Sequence, residues 1–152
     1  VYGLNRYPDQ YDKLIANPGL ISNLVPEIIR WQTPLSYMRR TATRDTKLGG
    51  KQIRKDDQVL MWYLSANRDE DVFGDDAEAI DLARPNAERH LSFGYGIHFC
   101  MGSRLAELQL RILWEEVLQR FDRIEVVDEP ERTLSAFING YTNLPVQVTR
   151  KR

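Results

Sequence analysis

The stretch Phe93-Gly94-Tyr95-Gly96-Ile97-His98-Phe99-Cys100-Met101-Gly102 decides how this sequence is read. It carries the only cysteine of the chain, and three glycines fall in the nine residues from Gly94 to Gly102. Glycines allow sharp turns and let a flat partner approach backbone that a Cβ would shield. Downstream, residues from about Met101 to Phe121 read as one long helix. Leu105, Leu108 and Ile112 mark one apolar row; Leu110, Leu113, Val117 and Phe121 mark another. So wide an apolar surface predicts a helix buried on most sides. A helix that starts right at Cys100 brings its free N–H groups and positive dipole end to the sulfur, and both favour a thiolate over a thiol.

A thiolate at a helix start, beneath a glycine-opened surface, is what a haem iron ligand needs; it donates electron density to the metal and favours O–O cleavage. Other readings compete. A lone cysteine is more often a small buried hydrophobe, but the glycines and the helix start argue against that here. A zinc site wants about four ligands, and beyond carboxylates the sequence offers only Cys100, His98 and His90. A cysteine nucleophile with His98 as base is open on composition, although that histidine is only two residues away and His90 is the only other one. A dinucleotide-binding loop would need glycine where Phe99 stands, and a buried strand before it; neither is present.

Working outward, Tyr11, Leu14 and Ile15 give a helical face after Pro8, stopped at Asn17-Pro18-Gly19. Ile21, Leu24, Val25 and Ile28 give a second face ending before Pro34; Pro26 means that this helix either begins there or is kinked there. From Leu35 to Trp62, Thr-rich and β-branched runs predict short strands, with turns at Gly49-Gly50 and Lys55-Asp56-Asp57. Residues 63–92 read as mostly irregular, with a helical turn near Tyr63 to Ala66. A segment of that length without regular structure is usually functional or tightly packed. The tail, Ile124 to Val148, reads as strands with a hairpin turn at Asn139-Gly140. At 152 residues the chain is long enough for one real core, and a formal net charge of −1 leaves no footprint for nucleic acid or an anionic membrane. No apolar run is long enough to span a bilayer. One cysteine excludes an intrachain disulfide, and a cytoplasmic setting is the expectation. Val1 opens a segment, VYGLNRYP, that reads as the end of a helix begun upstream.

The pattern Phe93, Gly94, Gly96, His98, Cys100, Gly102 resembles the haem-binding signature of the cytochrome P-450 superfamily, and it matches at every signature position. The resemblance implies that Cys100 is the axial ligand of haem b, that Phe93 packs by the sulfur and that His98 bonds a haem propionate. It implies a propionate partner at Arg40 as well, where a guanidinium suits a carboxylate; Arg39 is then the exposed neighbour. Glu27 and Arg30, at i and i+3 on one helix face, match the superfamily's Glu-x-x-Arg helix. Arg84 matches the arginine that completes this ion-pair framework, a scaffold role without chemistry. Asn67-Arg68-Asp69 and Phe73 fit the segment before the cysteine loop. The fold so implied is mainly α with small antiparallel β-sheets, the C-terminal part of the cytochrome P-450 fold. One fragment, residues 1–152, would hold the proximal half of a haem site, with the distal helix and its acid–alcohol pair lying upstream.

The implied activity of the intact enzyme is insertion of one oxygen atom from O2 into a C–H bond. Its electrons would come from NAD(P)H through a ferredoxin reductase and a ferredoxin docking near Arg104 and the cysteine loop. Residues 25–42 (VPEIIRWQTPLSYMRRTA) and 91–126 resemble the bacterial branch that hydroxylates linear alkanes at the terminal carbon. Leu35 and Met38, in the Pro34–Met38 strand, and Phe137 and Ile138, in the Phe137–Tyr141 turn, match regions that border the substrate. With Pro34 they offer no charge for a carboxylate or sugar, which suits a small apolar substrate. The alternatives are a monooxygenase acting on a terpene, steroid or fatty acid, a non-catalytic haem-binding module, and a thiol hydrolase.

Overall fold

The computed structural model describes residues 1–151. Helix α1 (Tyr2–Arg6) runs through Tyr7 into α2 (Pro8–Ala16). Pro8 opens α2 where a missing N–H costs nothing. Asn17 closes it: its side chain accepts the Gly19 N–H at 3.1 Å and starts a 3-10 turn at Pro18–Leu20. Helix α3 (Ile21–Gln32) follows directly and holds Pro26 inside it. The proline leaves the Ser22 carbonyl without its usual intrahelical donor, but the helix does not begin again there. Thr33 ends α3 at φ +42, with its N–H on the Ile29 carbonyl and its hydroxyl on the Arg30 carbonyl at 2.6 Å. That pair of bonds offsets the left-handed strain of a β-branched residue.

Strand β1 (Tyr37–Thr41) pairs antiparallel with β4 (Gln58–Trp62), and between them lies the hairpin of β2 (Thr46–Leu48) and β3 (Lys51–Ile53). Gly49 and Gly50, both at positive φ, make the turn of this inner hairpin. The expected strand at Pro34–Met38 is shorter than its sequence reading. Regular pairing starts at Tyr37, and Leu35 makes only an isolated antiparallel bridge to Ile138. Residues 63–92 contain α4 (Tyr63–Ala66), α5 (Glu70–Phe73) and a 3-10 turn at Ala87–Arg89. Helix α6 (Ser103–Arg120) passes straight into β5 (Phe121–Val126), which pairs with β8 (Val146–Arg150); β6 (Glu131–Arg132) pairs with β7 (Tyr141–Asn143). The architecture is the expected one: mainly helical, with two-stranded antiparallel sheets at the margins. Among the described residues no helix is long and apolar enough to cross a membrane.

The core lies where α2, α3 and α6 meet. Leu14 and Leu24 are fully buried, and Tyr11 sets its ring edge-on to Trp114 with centroids 6.0 Å apart. Two expectations fail at α6. The helix begins at Ser103 rather than at the cysteine, because residues 96–102 are spent on a 3-10 turn and a second turn closed by the Ser103 N–H on the Cys100 carbonyl. It is also not buried on most sides. Trp114 and Leu118 face α2 and α3, whereas Leu105, Leu108, Ile112 and Leu113 are exposed, Leu105 at 61%. The row of Leu105, Leu108 and Ile112 has nothing among the described residues to cover it, whereas Leu110 and Val117 of the other row pack against the core. The Asn139-Gly140 hairpin turn is not formed either. Strands β6 and β7 enclose the longer span 133–140, and neither residue has the positive φ that a tight hairpin turn demands. Asn139 instead donates its N–H to the Pro34 carbonyl at 2.9 Å and its amide to the Gln32 carbonyl at 2.5 Å, both at the end of α3.

Candidate functional site

The cysteine loop is shaped by short backbone bonds. Gly94 donates its N–H to the Leu91 carbonyl at 2.8 Å and turns at φ +74. A 3-10 turn at Gly96–His98 follows, and the Cys100 N–H then closes the loop on the Phe93 carbonyl at 2.9 Å. A Cβ at Gly94 would lie 3.3 Å from the Tyr63 hydroxyl, so glycine there answers both backbone and space. At Gly96, with φ +72, nothing lies within 4 Å of a Cβ: the demand is conformational, and the surface it bares is open. Gly102 has no positive φ, and its Cβ would meet the Cys100 sulfur at an ordinary 3.8 Å. Cys100 and His98 are exposed, and the Phe93 ring lies between those of His90 and Phe99, with centroids at 5.4 and 6.2 Å. The positive end of α6 starts three residues beyond Cys100, so its dipole acts on the sulfur from further off than a helix starting at the cysteine would.

A cavity of about 560 Å³ brings the loop together with β1. Cys100, His98, Phe93 and Gly94 line it from one side, and Leu35, Met38 and Arg40 from another. Arg40 is half-buried with a guanidinium nitrogen on the Arg39 carbonyl at 3.0 Å; Arg39 is the exposed one of the two. Phe137 and Ile138 do not line this space. Phe137 packs edge-on against Tyr37 with centroids 5.6 Å apart, and Ile138 reaches the site only through its bridge to Leu35. One thiol, one guanidinium, one imidazole and apolar walls fit a flat apolar macrocycle with a metal centre and carboxylate arms. An all-nitrogen-and-oxygen metal cage is not built here: among the described residues no three His, Cys, Asp or Glu side chains come together.

Behind the loop lies the charged framework. Glu27 and Arg30 are fully buried and Arg84 is 3% exposed. Arg30 grips Glu27 with two parallel bonds of 2.8 Å, while Arg84 gives the same carboxylate one bond of 3.1 Å. The bidentate fork is therefore within α3, and the cross-link to the irregular segment is single. Arg30 spends its remaining donors on the main-chain carbonyls of Asn67, Ala77 and Ala79, while Arg84 bonds the Phe73 and Asp76 carbonyls and also the Asp76 carboxylate at 3.0 Å. His90 is buried beneath the loop and accepts the Ser92 N–H at 3.2 Å. Burial pushes its imidazole down to about 4, with the Arg30 charge acting the same way.

Sequence reading missed the polar link between this framework and the loop. Asn67 is fully buried and Ser92 nearly so, and they bond to each other at 2.8 Å. Asn67 stands in the Asn67-Arg68-Asp69 run noted from the sequence, but nothing local separates an asparagine that will be buried from one that caps a turn. Tyr63, buried against Gly94, was legible only as part of a helical turn.

The Cytochrome P450 family model matches residues 7–147. Linalool 8-monooxygenase of Pseudomonas putida is 44% identical over 148 residues, covering 97% of this chain and 36% of that protein. The methyl-branched lipid omega-hydroxylase of Mycobacterium tuberculosis (strain H37Rv) is also 44% identical, over 96% of this chain and 34% of its own length. Among solved structures, CYP153D17 from Sphingomonas sp. PAMC 26605 superposes with a TM-score of 0.94 at 56% identity, covering 98% of this chain and 37% of that one. The chain thus spans about a third of the length of these relatives. With the family match running nearly end to end and the fold superposing this closely, the chain belongs to the cytochrome P450 family.

Proposed function

We propose that this chain is the C-terminal, proximal part of a cytoplasmic haem-thiolate monooxygenase that hydroxylates the terminal carbon of medium-chain linear alkanes. The observation that supports it most is the single cavity lined by Cys100, His98, Arg40, Leu35 and Met38. When bound there, haem supplies the activation of O2, made easier by a thiolate ligand. Cys100 provides that thiolate. Arg40 and His98 offer donors to the two propionates, Arg40 with a fixed charge. Phe93 lines the cavity beside Cys100 and adds an apolar surface on the sulfur side of the proposed haem. Leu35 and Met38 present an apolar wall that holds a chain end-on and keeps its inner methylenes away from the reacting centre, a positioning effect. Phe137 and Ile138 support this wall from outside the cavity, Ile138 through its bridge to Leu35 and Phe137 through the Ser36 N–H on its carbonyl. Electrons reach the site from NAD(P)H through a ferredoxin reductase and a ferredoxin docking around Arg104.

Terminal attack has the support of the resemblance carried by residues 25–42 and 91–126 and of the relative named as an omega-hydroxylase. A terpene substrate is the second reading, favoured by the relative named linalool 8-monooxygenase. The experiment uses the intact enzyme with a ferredoxin system. The reduced, carbon-monoxide-bound wild type is expected to show the strongly red-shifted Soret band of thiolate ligation, and Cys100→Ser to lose it. Octane is expected to yield chiefly 1-octanol. Retention of the band by the serine variant rejects the ligand assignment. Mainly internal alcohols, or no alkane binding with tight binding of linalool or a steroid, reject the substrate.

A further inference from the structure

The Asn67 carboxamide is the point at which the ion-pair framework touches the cysteine loop. Asn67 is fully buried. Its Oδ1 accepts the Leu91 N–H at 2.6 Å, and its Nδ2 donates to the Thr33 and Ser92 hydroxyls, each at 2.8 Å. Both hydroxyls have already committed their protons, Thr33 to the Arg30 carbonyl at 2.6 Å and Ser92 to the Ile29 carbonyl at 2.8 Å. They can therefore only accept from Asn67, and Leu91 can only donate. The amide orientation is fixed by its partners, and no other side chain of that length supplies one acceptor and two donors without charge. The main chain of Asn67 is held as well: its carbonyl takes a bond of 2.7 Å from Arg30. By contrast, the bonds that Glu27, Arg30 and Arg84 make end on α3, on Asn67 and on residues 73–81; none reaches residues 91–100. From Asn67 the path to the cysteine is three bonds long. Leu91 N–H meets Asn67, the Leu91 carbonyl takes the Gly94 N–H at 2.8 Å, and the Phe93 carbonyl takes the Cys100 N–H at 2.9 Å.

We propose that Asn67 is a positioning residue that transmits the rigidity of the Glu27–Arg30–Arg84 framework to Cys100 through Leu91 and Ser92. The proposal rests on the reading of Cys100 as the thiolate ligand. Thr33 holds the far side of the amide and Ser92 the near side, so the two hydroxyls separate support of the fold from support of the loop.

The test compares Ser92→Ala, Thr33→Val and Asn67→Leu in the intact holoenzyme. Two readouts are taken: hydrogen exchange at the Leu91 and Cys100 amides, and the share of the reduced, carbon-monoxide-bound protein that has lost the red-shifted thiolate band. Ser92→Ala and Asn67→Leu are expected to speed exchange at Leu91 roughly tenfold, as loss of about one net hydrogen bond does, and to raise the share without the red-shifted band. Thr33→Val is expected to lower the melting temperature while leaving the band and the Cys100 amide as in wild type. If Asn67→Leu does not fold, Ser92→Ala against Thr33→Val decides alone. Wild-type exchange and an unchanged band in Ser92→Ala overturn the proposal, as does an equal loss of band in Thr33→Val. Absence of the red-shifted band from wild type would instead remove the ligand reading, while the exchange data would still report the coupling.

Discussion

Arg84 contributes a single bond to Glu27, but it is 3% exposed and shares a carboxylate that has no access to water. Arg84→Ala leaves Glu27 with Arg30 and the Asp81 N–H, and frees the Phe73 carbonyl and both the carbonyl and carboxylate of Asp76, and removing one partner of such a buried pair costs about 3–5 kcal/mol. The expected outcome is little folded holoprotein on expression; a stable, haem-loaded variant with only slower turnover would contradict the scaffold role. His90 makes a prediction with a sign. Burial lowers its folded pKa to about 4 from an ordinary 6.5, so the unfolded chain binds the proton more readily. The stability this neutral imidazole contributes is complete above 6.5 and is lost as pH falls toward 4. Arg30, Glu27 and Glu88 are the charges that bear on it. Denaturant midpoints measured above 6.5 and near 4 are expected to fall further for wild type than for His90→Gln, which keeps an acceptor but does not titrate. Equal falls would assign the acid sensitivity to other groups. The loop that carries Cys100 and His98 was legible at this scale from its glycines and its lone cysteine, while Arg40 was singled out only by the family resemblance. Asn67 and His90 were not legible, since burial by segments dozens of residues away decides what they do.

Among the elements, α2 and α3 were legible from apolar spacing and from their stops at Asn17 and Thr33-Pro34. The turns of the β1–β4 segment were legible at Gly49-Gly50 and at Lys55-Asp56-Asp57, where Asp56 has φ +72. The Asn139-Gly140 turn misled because a local signal was answered by distant partners, the carbonyls of Gln32 and Pro34. Helix α6 misled in the opposite way: its composition describes a helix covered on two sides, and this chain covers one. Leu113 is 55% exposed here. In the intact enzyme Leu113→Ala is expected to cost about 2–5 kcal/mol, as truncation of a core leucine does, measured by equilibrium unfolding. A change within about 0.5 kcal/mol, the size of a surface effect, would mean that this face stays in water.

For the molecule as a whole, the chain covers about a third of the length of its relatives, and Cys100 and His98 of the proposed haem site are exposed. An open haem face admits water and spoils O2 activation. The 152-residue polypeptide, reconstituted with haem, ferredoxin and reductase, is therefore expected to show no substrate-dependent hydroxylation coupled to NAD(P)H; coupled product formation would overturn this. The framework behind the cavity has a consequence for how the sequence can drift. Arg30 and Arg84 hold residues 67–79 chiefly by carbonyl oxygens, and every residue type carries that oxygen. At those carbonyl contacts residue type is unconstrained, unlike at Asn67 and Asp76, whose side chains are themselves bonded. Asp75 and Ala79, neither of them buried, are free to be exchanged, while Ala77, at 1% exposure, is confined by volume alone. A library randomised at those positions would be sorted at Ala77 by side-chain size and at the other two hardly at all, which makes Asp75 and Ala79 places to install labels without disturbing the bonds that Arg30 and Arg84 make to this loop.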